Sequence, residues 1–193
     1  MYEYIKGAII ELNPAVIVID AGNIGYSIKI SLNTYSKLNT LKEAKVLIHQ
    51  IVREDAHLLY GFSEPEEREL FRSLLSVNGV GANTAIMMLS SLSPDEIANA
   101  IATDNVNVLK GIKGIGIKTA QRIIIDLKDK LGKIRETGQI MPSANNTIRN
   151  ESLSALVMLG FAKKDAESAV DKILKEQPEL NVESVLKQAL KRL

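Results

Sequence analysis

Val77-Asn78-Gly79-Val80-Gly81-Ala82-Asn83-Thr84-Ala85 returns 35 residues later as Ile112-Lys113-Gly114-Ile115-Gly116-Ile117-Lys118-Thr119-Ala120. Each copy reads apolar-x-Gly-apolar-Gly-x-x-Thr-Ala. Two glycines at this spacing allow a tight turn with positive φ or a close approach of backbone. The apolar residue between them can tuck back between helices. A helix that starts at once after the turn leaves its first N–H groups pointing outward. Those amides and the helix dipole make a place for an anion of phosphate size.

The pattern is that of a helix-hairpin-helix. A single Gly-x-Gly is usually only a turn, whereas two copies with matched flanks make a repeated device. Contacts of this kind grip a sugar–phosphate backbone without reading base edges. The first hairpin offers Asn78, Gly79, Val80, Gly81, Asn83 and Thr84 to DNA, and the second offers Lys113, Gly114, Ile115, Gly116, Lys118, Thr119 and Arg122. Lys118 and Arg122 stand one helical turn apart and flank the expected phosphate.

Two rival readings fail on spacing. A dinucleotide fingerprint needs Gly-x-Gly-x-x-Gly after a buried strand, and here Thr84 or Thr119 replaces the third glycine. The phosphate loop Gly-x-x-x-x-Gly-Lys-[Ser/Thr] occurs nowhere in the chain, so no nucleotide-hydrolysis site is expected.

On the N-terminal side, residues 1–63 read as β. Ile5–Ile10, Ala15–Asp20, Ile24–Ile30, Val46–Val52 and Leu58–Phe62 are short runs rich in Ile, Val and Tyr. Asn13-Pro14 and Gly22-Asn23 punctuate them as turns. Five short strands in such a span suggest a small closed barrel of OB type, with an SH3-like barrel as the alternative. Residues 64–135 then form the tandem helix-hairpin-helix domain. Ser63-Glu64-Pro65-Glu66-Glu67 opens it with an acidic first turn. Ser93-Pro94-Asp95-Glu96 marks a further helix start as a capping box with Pro at N1. Residues 136–149, with Gly138, Pro142, Ser143, Asn145 and Asn146, read as a flexible linker. Residues 150–193 show three amphipathic stripes: Leu153, Leu156 and Val157; Ala166, Ala169, Val170 and Ile173; Val182, Val185, Leu186 and Ala189. They suit a small three-helix domain. The expected class is thus α+β and multidomain.

Composition narrows the chemistry. The 193 residues are 46% hydrophobic and 24% charged, as in a globular protein. There is no cysteine, which excludes disulfides, thiolate catalysis and thiolate metal sites. Aromatics make up 4%, too few for broad base-stacking platforms. No apolar run approaches the roughly 20 residues of a membrane span. The start, Met1-Tyr2-Glu3-Tyr4-Ile5-Lys6, lacks the pattern of a secretory leader. A cytoplasmic location is expected. Net charge is +1, yet eight basic residues between Lys110 and Arg135 face only Asp126 and Asp129, a local balance of +6. A near-neutral protein with one basic segment can still meet phosphate there.

Arg53-Glu54-Asp55-Ala56 lies between the last two expected strands and by itself reads as a solvated hairpin tip. His49 and His57 are isolated, and no Asp/Glu/His cluster has ligand spacing, so neither a metal nor a cofactor is expected. Tandem hairpins also occur in repair nucleases, ligases and glycosylases. The catalytic groups those enzymes need are not recognisable here, and Asp126 and Asp129 read as helix-surface charges.

The order of barrel, doubled hairpin, linker and three-helix (UBA-like) unit resembles the RuvA family over essentially the whole chain. Gly25-Tyr26, Arg53-Glu54-Asp55-Ala56, Leu59-Tyr60-Gly61-Phe62, Asn78-Gly79-Val80-Gly81, Gly114-Ile115-Gly116 and Ala155-Leu156-Val157-Met158-Leu159-Gly160-Phe161 carry the likeness. The resemblance implies a non-catalytic subunit that holds a four-way (Holliday) DNA junction open during recombination and repair. It implies a homotetramer, in some members doubled to an octamer around the DNA. Glu54 and Asp55 match the family's acidic pin at the junction centre, and Arg53 would touch DNA beside it. The third domain would bind the AAA+ ATPase RuvB that drives branch migration, and a junction-resolving nuclease would share the complex; Leu156, Leu159 and Leu186 are candidate motor contacts that read equally as core. Two departures stand out: Asn83 and Ile117 occupy positions where family members often carry Lys.

Overall fold

The computed structural model describes residues 2–139, 144–177 and 179–193, with backbone alone over 129–139 and 144–147. Contacts divide the chain into one unit over Met1–Ile134 and another over Arg135–Leu193.

The first unit begins with strands β1 (Tyr4–Asn13), β2 (Val16–Asp20), β3 (Gly25–Ile30), β4 (Glu43–Val52) and β5 (His57–Phe62). They close in the order β1-β2-β3-β5-β4, with β1 also paired to β4. All pairings are antiparallel except β3 with β5, where Lys29 faces Tyr60 and Ile30 faces Gly61. This is the five-stranded Greek-key barrel of the OB type, which resolves the choice between barrels. Alternate residues Ile17, Ile19, Ile28, Ile30, Val46 and Ile48 fill its interior.

A helix that the apolar pattern does not announce, α1 (Leu32–Leu38), joins β3 to β4. Ser31 caps it, accepting from the Thr34 N–H at 3.0 Å.

Strand β5 belongs to two cores at once. Gly61 faces the barrel, where an added Cβ would come within 2.5 Å of both Ile28 and Val46. Its neighbours Tyr60 and Phe62 face the other way and pack on Phe71, with ring centroids 5.2 and 5.0 Å away. Phe71 lies on α2 (Pro65–Leu75), the first of a run continued by α3 (Ala82–Ser91), α4 (Pro94–Ala102), α5 (Val106–Lys110) and α6 (Ile117–Gln139). Leu70, Leu74, Met88, Leu89, Ile97, Leu109, Ile123 and Leu127 complete this second core. The Ser93–Glu96 capping box forms in both directions, as expected.

The acidic first turn of α2 is not wholly exposed. Glu67 is buried and accepts hydrogen bonds from the hydroxyls of Ser31 and Thr34, the latter at 2.7 Å. Burial pushes its carboxyl above the usual range despite those bonds. The barrel helix and the first hairpin helix are thereby tied together by side-chain hydrogen bonds.

The second unit comprises α7 (Ala144–Met158), α8 (Lys163–Glu176) and α9 (Val182–Ala189). Leu156, Ala166, Val170, Ile173, Val185 and Ala189 form its core. Arg149 and Asp171 pair across it in a two-pronged hydrogen bond. The linker expected over 136–149 is helical at both described ends, since α6 runs through Gln139 and α7 starts at Ala144. Lys133, Arg135 and Glu136 favour continuation of a helix, and one glycine, Gly138, weakens it without ending it. Residues 140–143 lie outside the described residues.

Candidate nucleic-acid interface

The two glycine corners repeat each other bond for bond. In the first, Val77 N–H donates to Leu74 at 3.1 Å, Val80 N–H to Val77 at 3.1 Å and Ala85 N–H to Gly81 at 2.9 Å. In the second, Ile112 N–H donates to Leu109 at 3.2 Å, Ile115 N–H to Ile112 at 3.0 Å and Ala120 N–H to Gly116 at 2.9 Å. Gly79 and Gly114 take φ of +93° and +89°, so the first glycine of each pair is demanded by the turn itself. Val80 and Ile115, between the glycines, are buried in the helical core. All four glycines are exposed.

The second glycine of each pair has no such internal cause. Gly81 has φ −88° and ψ 169°, open to any residue, and a Cβ on Gly81 or Gly116 would meet nothing within 4 Å. Inside the chain a side chain is therefore admissible there. A group that must reach the backbone from outside would be kept off by one. Gly81 has no side-chain cap, and the first helical bond of α3 is that of Ala85. The N–H groups of residues 82–84 are therefore left to donate beyond the helix, as are those of 117–119 by the same geometry.

Around these corners Asn78, Asn83, Lys113, Lys118 and Arg122 are exposed, and Thr84 and Thr119 half-buried. Arg122 does not simply flank its own hairpin. Its Nη1 donates to the Asn78 carbonyl at 3.4 Å, linking the second hairpin's helix to the first hairpin's turn. Lys128 pairs with Asp104, and the side chains of Asp129, Lys130, Lys133 and Arg135 lie outside those described. Asp126 is exposed on its helix.

The barrel contributes a second surface. Strands β4 and β5 end on the Val52–His57 pair, and Arg53 N–H closes the turn on Ala56 at 2.8 Å. Arg53, Glu54 and Asp55 are all exposed on this tip. His57 is an exposed strand residue. His49 lies edge-on to Phe71, and burial with nearby Arg72 and Arg68 holds its imidazole below the usual range, as an uncharged ring. Among the described residues no group of three or more His, Cys, Asp or Glu is placed to hold a metal. No described helix is long and apolar enough to cross a membrane.

Between barrel and first hairpin lies a cleft of about 300 Å³ lined by Lys29, Arg53, Leu58, Tyr60 and residues 81–84. It brings Arg53 to the start of α3. Neither Lys29 nor Tyr60 reads as a site residue from sequence, because only the parallel β3–β5 pairing sets them side by side.

In the second unit the three leucines part company. Leu156 is wholly buried in the core and offers no surface to a partner, the core role its position also allowed. It falls on the inner stripe of α7, packed among α8 and α9 residues. Leu186 is half-buried against the same core, while Leu159 is 62% exposed.

Comparison with known proteins agrees with this layout. The family model described as RuvA N terminal domain matches residues 1–61, a SAM-like helix-hairpin-helix tandem matches 71–129, and the RuvA C-terminal domain matches 147–193. Proteins named Holliday junction branch migration complex subunit RuvA are similar over the whole length of both chains. That of Bacteroides fragilis is 52% identical, that of Christiangramia forsetii 50% and that of Flavobacterium psychrophilum 48%, each covering 100% of both sequences. With its barrel, doubled hairpin and C-terminal helical unit all matched in order, the chain belongs to the RuvA family.

Proposed function

We propose that this protein is the sequence-independent DNA-binding subunit of a branch-migration complex, and that its ligand is the four-way junction. The observation that carries the reading is the second glycine of each corner, which the chain's own packing does not require but an approaching phosphate does. Amides of 82–84 and 117–119 donate to phosphate oxygens, and Lys113, Lys118 and Arg122 add charge. The division of labour follows four segments: barrel 1–63, hairpin domain 64–135, linker 136–149 and third domain 150–193.

Glu54 and Asp55 act as the acidic pin. Carboxylates on an exposed tip repel phosphates, so they keep strands apart at the crossover rather than bind them, with Arg53 holding a backbone beside them. Four-fold symmetry of a homotetramer matches an opened, square junction, bound on one face by a tetramer or on both by an octamer. The chain performs no catalysis. Its work is coupled to ATP hydrolysis by a RuvB-type AAA+ partner in the cytoplasm, and a junction-resolving nuclease joins the complex. The third domain meets the motor through Leu159 with its exposed neighbours Val157 and Met158, rather than through Leu156. Leu186 contributes its exposed part.

The deciding experiment is competition between a four-way junction and linear duplex of the same sequence, with the mass of the complex measured. Preference for the junction in a complex of four or eight chains is expected. Equal affinity for duplex would favour a general architectural protein instead, and DNA cleavage by the purified chain with Mg²⁺ would favour an enzyme.

A further inference from the structure

The cleft beside the first hairpin holds three polar features besides the exposed Asn83 and Arg53. One is the start of α3, a helix of ten residues with no side-chain cap. The second is Lys29, exposed on β3, whose Nζ stands 5.8 Å from the centre of the Tyr60 ring. No ion pair involves Lys29 among the described residues. The third is Tyr60, 1% exposed, with its ring held against Phe71. Its hydroxyl makes no hydrogen bond among the described residues, although Tyr60 lines the cleft. The ring is buried while the hydroxyl reaches the cleft, where it is placed to donate to a ligand. Burial pushes the phenol above its usual range, with Arg53 opposing, so it remains a donor at neutral pH.

We propose that Lys29 and the Tyr60 hydroxyl form, with the amides of 82–84 and Arg53, a seat for a DNA phosphate that the barrel completes. Lys29 supplies the side-chain cation that Asn83 does not. The seat rests on the DNA-binding reading above and extends it to two residues on β3 and β5. The chemistry is that of a phosphodiester: an anion with several acceptor oxygens meets main-chain N–H groups on one side and an ammonium plus one hydroxyl on the other. Lys29 and Tyr60 are neighbours across the sheet, so their spacing is fixed by backbone pairing and not by loop conformation.

The test uses the full chain and a fluorescent four-way junction titrated from 50 to 200 mM salt. Lys29→Ala should weaken binding and lower the slope of log affinity against log salt by about 0.9 for each phosphate neutralised. Lys29→Arg should restore the slope. Tyr60→Phe, which removes a neutral donor, should weaken binding roughly tenfold with the slope unchanged. A wild-type slope in Lys29→Ala overturns the seat, and that arm decides alone because Lys29 is exposed and its removal leaves the cores intact. Gly81→Val and Lys118→Ala run alongside. If they weaken binding and Lys29→Ala does not, only the seat fails; if none of the three does, the DNA-binding reading fails as well.

Discussion

The two hairpins share one backbone and differ in where their charge comes from. Their turn bonds agree within about 0.1 Å, and their first glycines differ by only a few degrees in φ. Yet the second carries Lys113 and Lys118 on its own turn and helix, whereas the first carries Asn78 and Asn83. The first hairpin instead faces the barrel's Lys29 and Arg53 across a cleft and receives Arg122 from the second. Main-chain amides come with the fold wherever the glycine corner is repeated. Side-chain cations can be drawn from any element that the tertiary structure brings alongside.

If the backbone device is common to both, blocking it should hurt equally. Gly81→Val and Gly116→Val each put a branched side chain into open space on an exposed corner. Each should cost about 100-fold in junction affinity, roughly 2.7 kcal/mol, since two or more charge-assisted hydrogen bonds weaken together. The melting temperature should hold within a few degrees, because N-cap substitutions of this kind act on one helix end. A large loss at one corner and none at the other would break the equivalence.

The first glycines sharpen the same comparison through stability. Gly79→Ala and Gly114→Ala force a Cβ into left-handed backbone, and each should destabilise by about 1–2 kcal/mol. Denaturant midpoints would show whether the two corners are equally strained. A neutral Gly114→Ala beside a costly Gly79→Ala would mean that the second turn relaxes in solution.

Much of this contrast was legible in the sequence, for physical reasons that also mark its limits. The glycine pairs fix φ and expose amides locally, so the corners could be read from nine residues each. The capping box at Ser93 and Glu96 is equally local. Helix α1 has little local signal because seven residues give its Leu32, Tyr35 and Leu38 stripe barely two turns, with Leu32 half in solvent, though Ser31 is a good N-cap. Glu67 reads as a dipole-favouring surface acid from its position in a first turn. Its burial depends on Ser31 and Thr34, more than thirty residues away. Lys29 beside Tyr60 needed the parallel closure of the barrel, a pairing no local pattern encodes. Arg122 is legible as a cation one turn from Lys118, but its bond to the Asn78 carbonyl of the other hairpin depends on how the two hairpins pack and has no local signal.

The asymmetry in side-chain charge gives the next test. Lys118→Ala should weaken junction binding about tenfold and flatten the salt slope by about 0.9 per phosphate, while Asn83→Ala should leave the slope unchanged. Adding Arg122→Ala should extend the loss, since it removes a cation and also the bond to the Asn78 carbonyl. A flattened slope in Asn83→Ala would contradict the division, because a neutral amide releases no counterion.

The smallest effect concerns what holds the first hairpin's helix to the barrel, a tie absent from the second. Glu67 has a folded-state pKa raised by burial. Between its ordinary value and that raised value the folded protein binds more proton than the unfolded chain, so stability must fall as pH rises through this window. The contribution is complete below the ordinary glutamate range and gone above the raised one. The depressed carboxyl of Asp171, held down by its hydrogen bond to Arg149, acts in the opposite sense and loses stability as pH falls through its folded value. Glu67→Gln removes the first dependence and leaves the second. Melting curves from pH 4 to 8 should therefore lose their decline toward neutral pH in Glu67→Gln, at some cost in stability because the amide Nε2 that replaces one carboxylate oxygen cannot accept the hydroxyl bond made there. An unchanged decline would place its origin in another group and leave the tie between α1 and α2 indifferent to protonation.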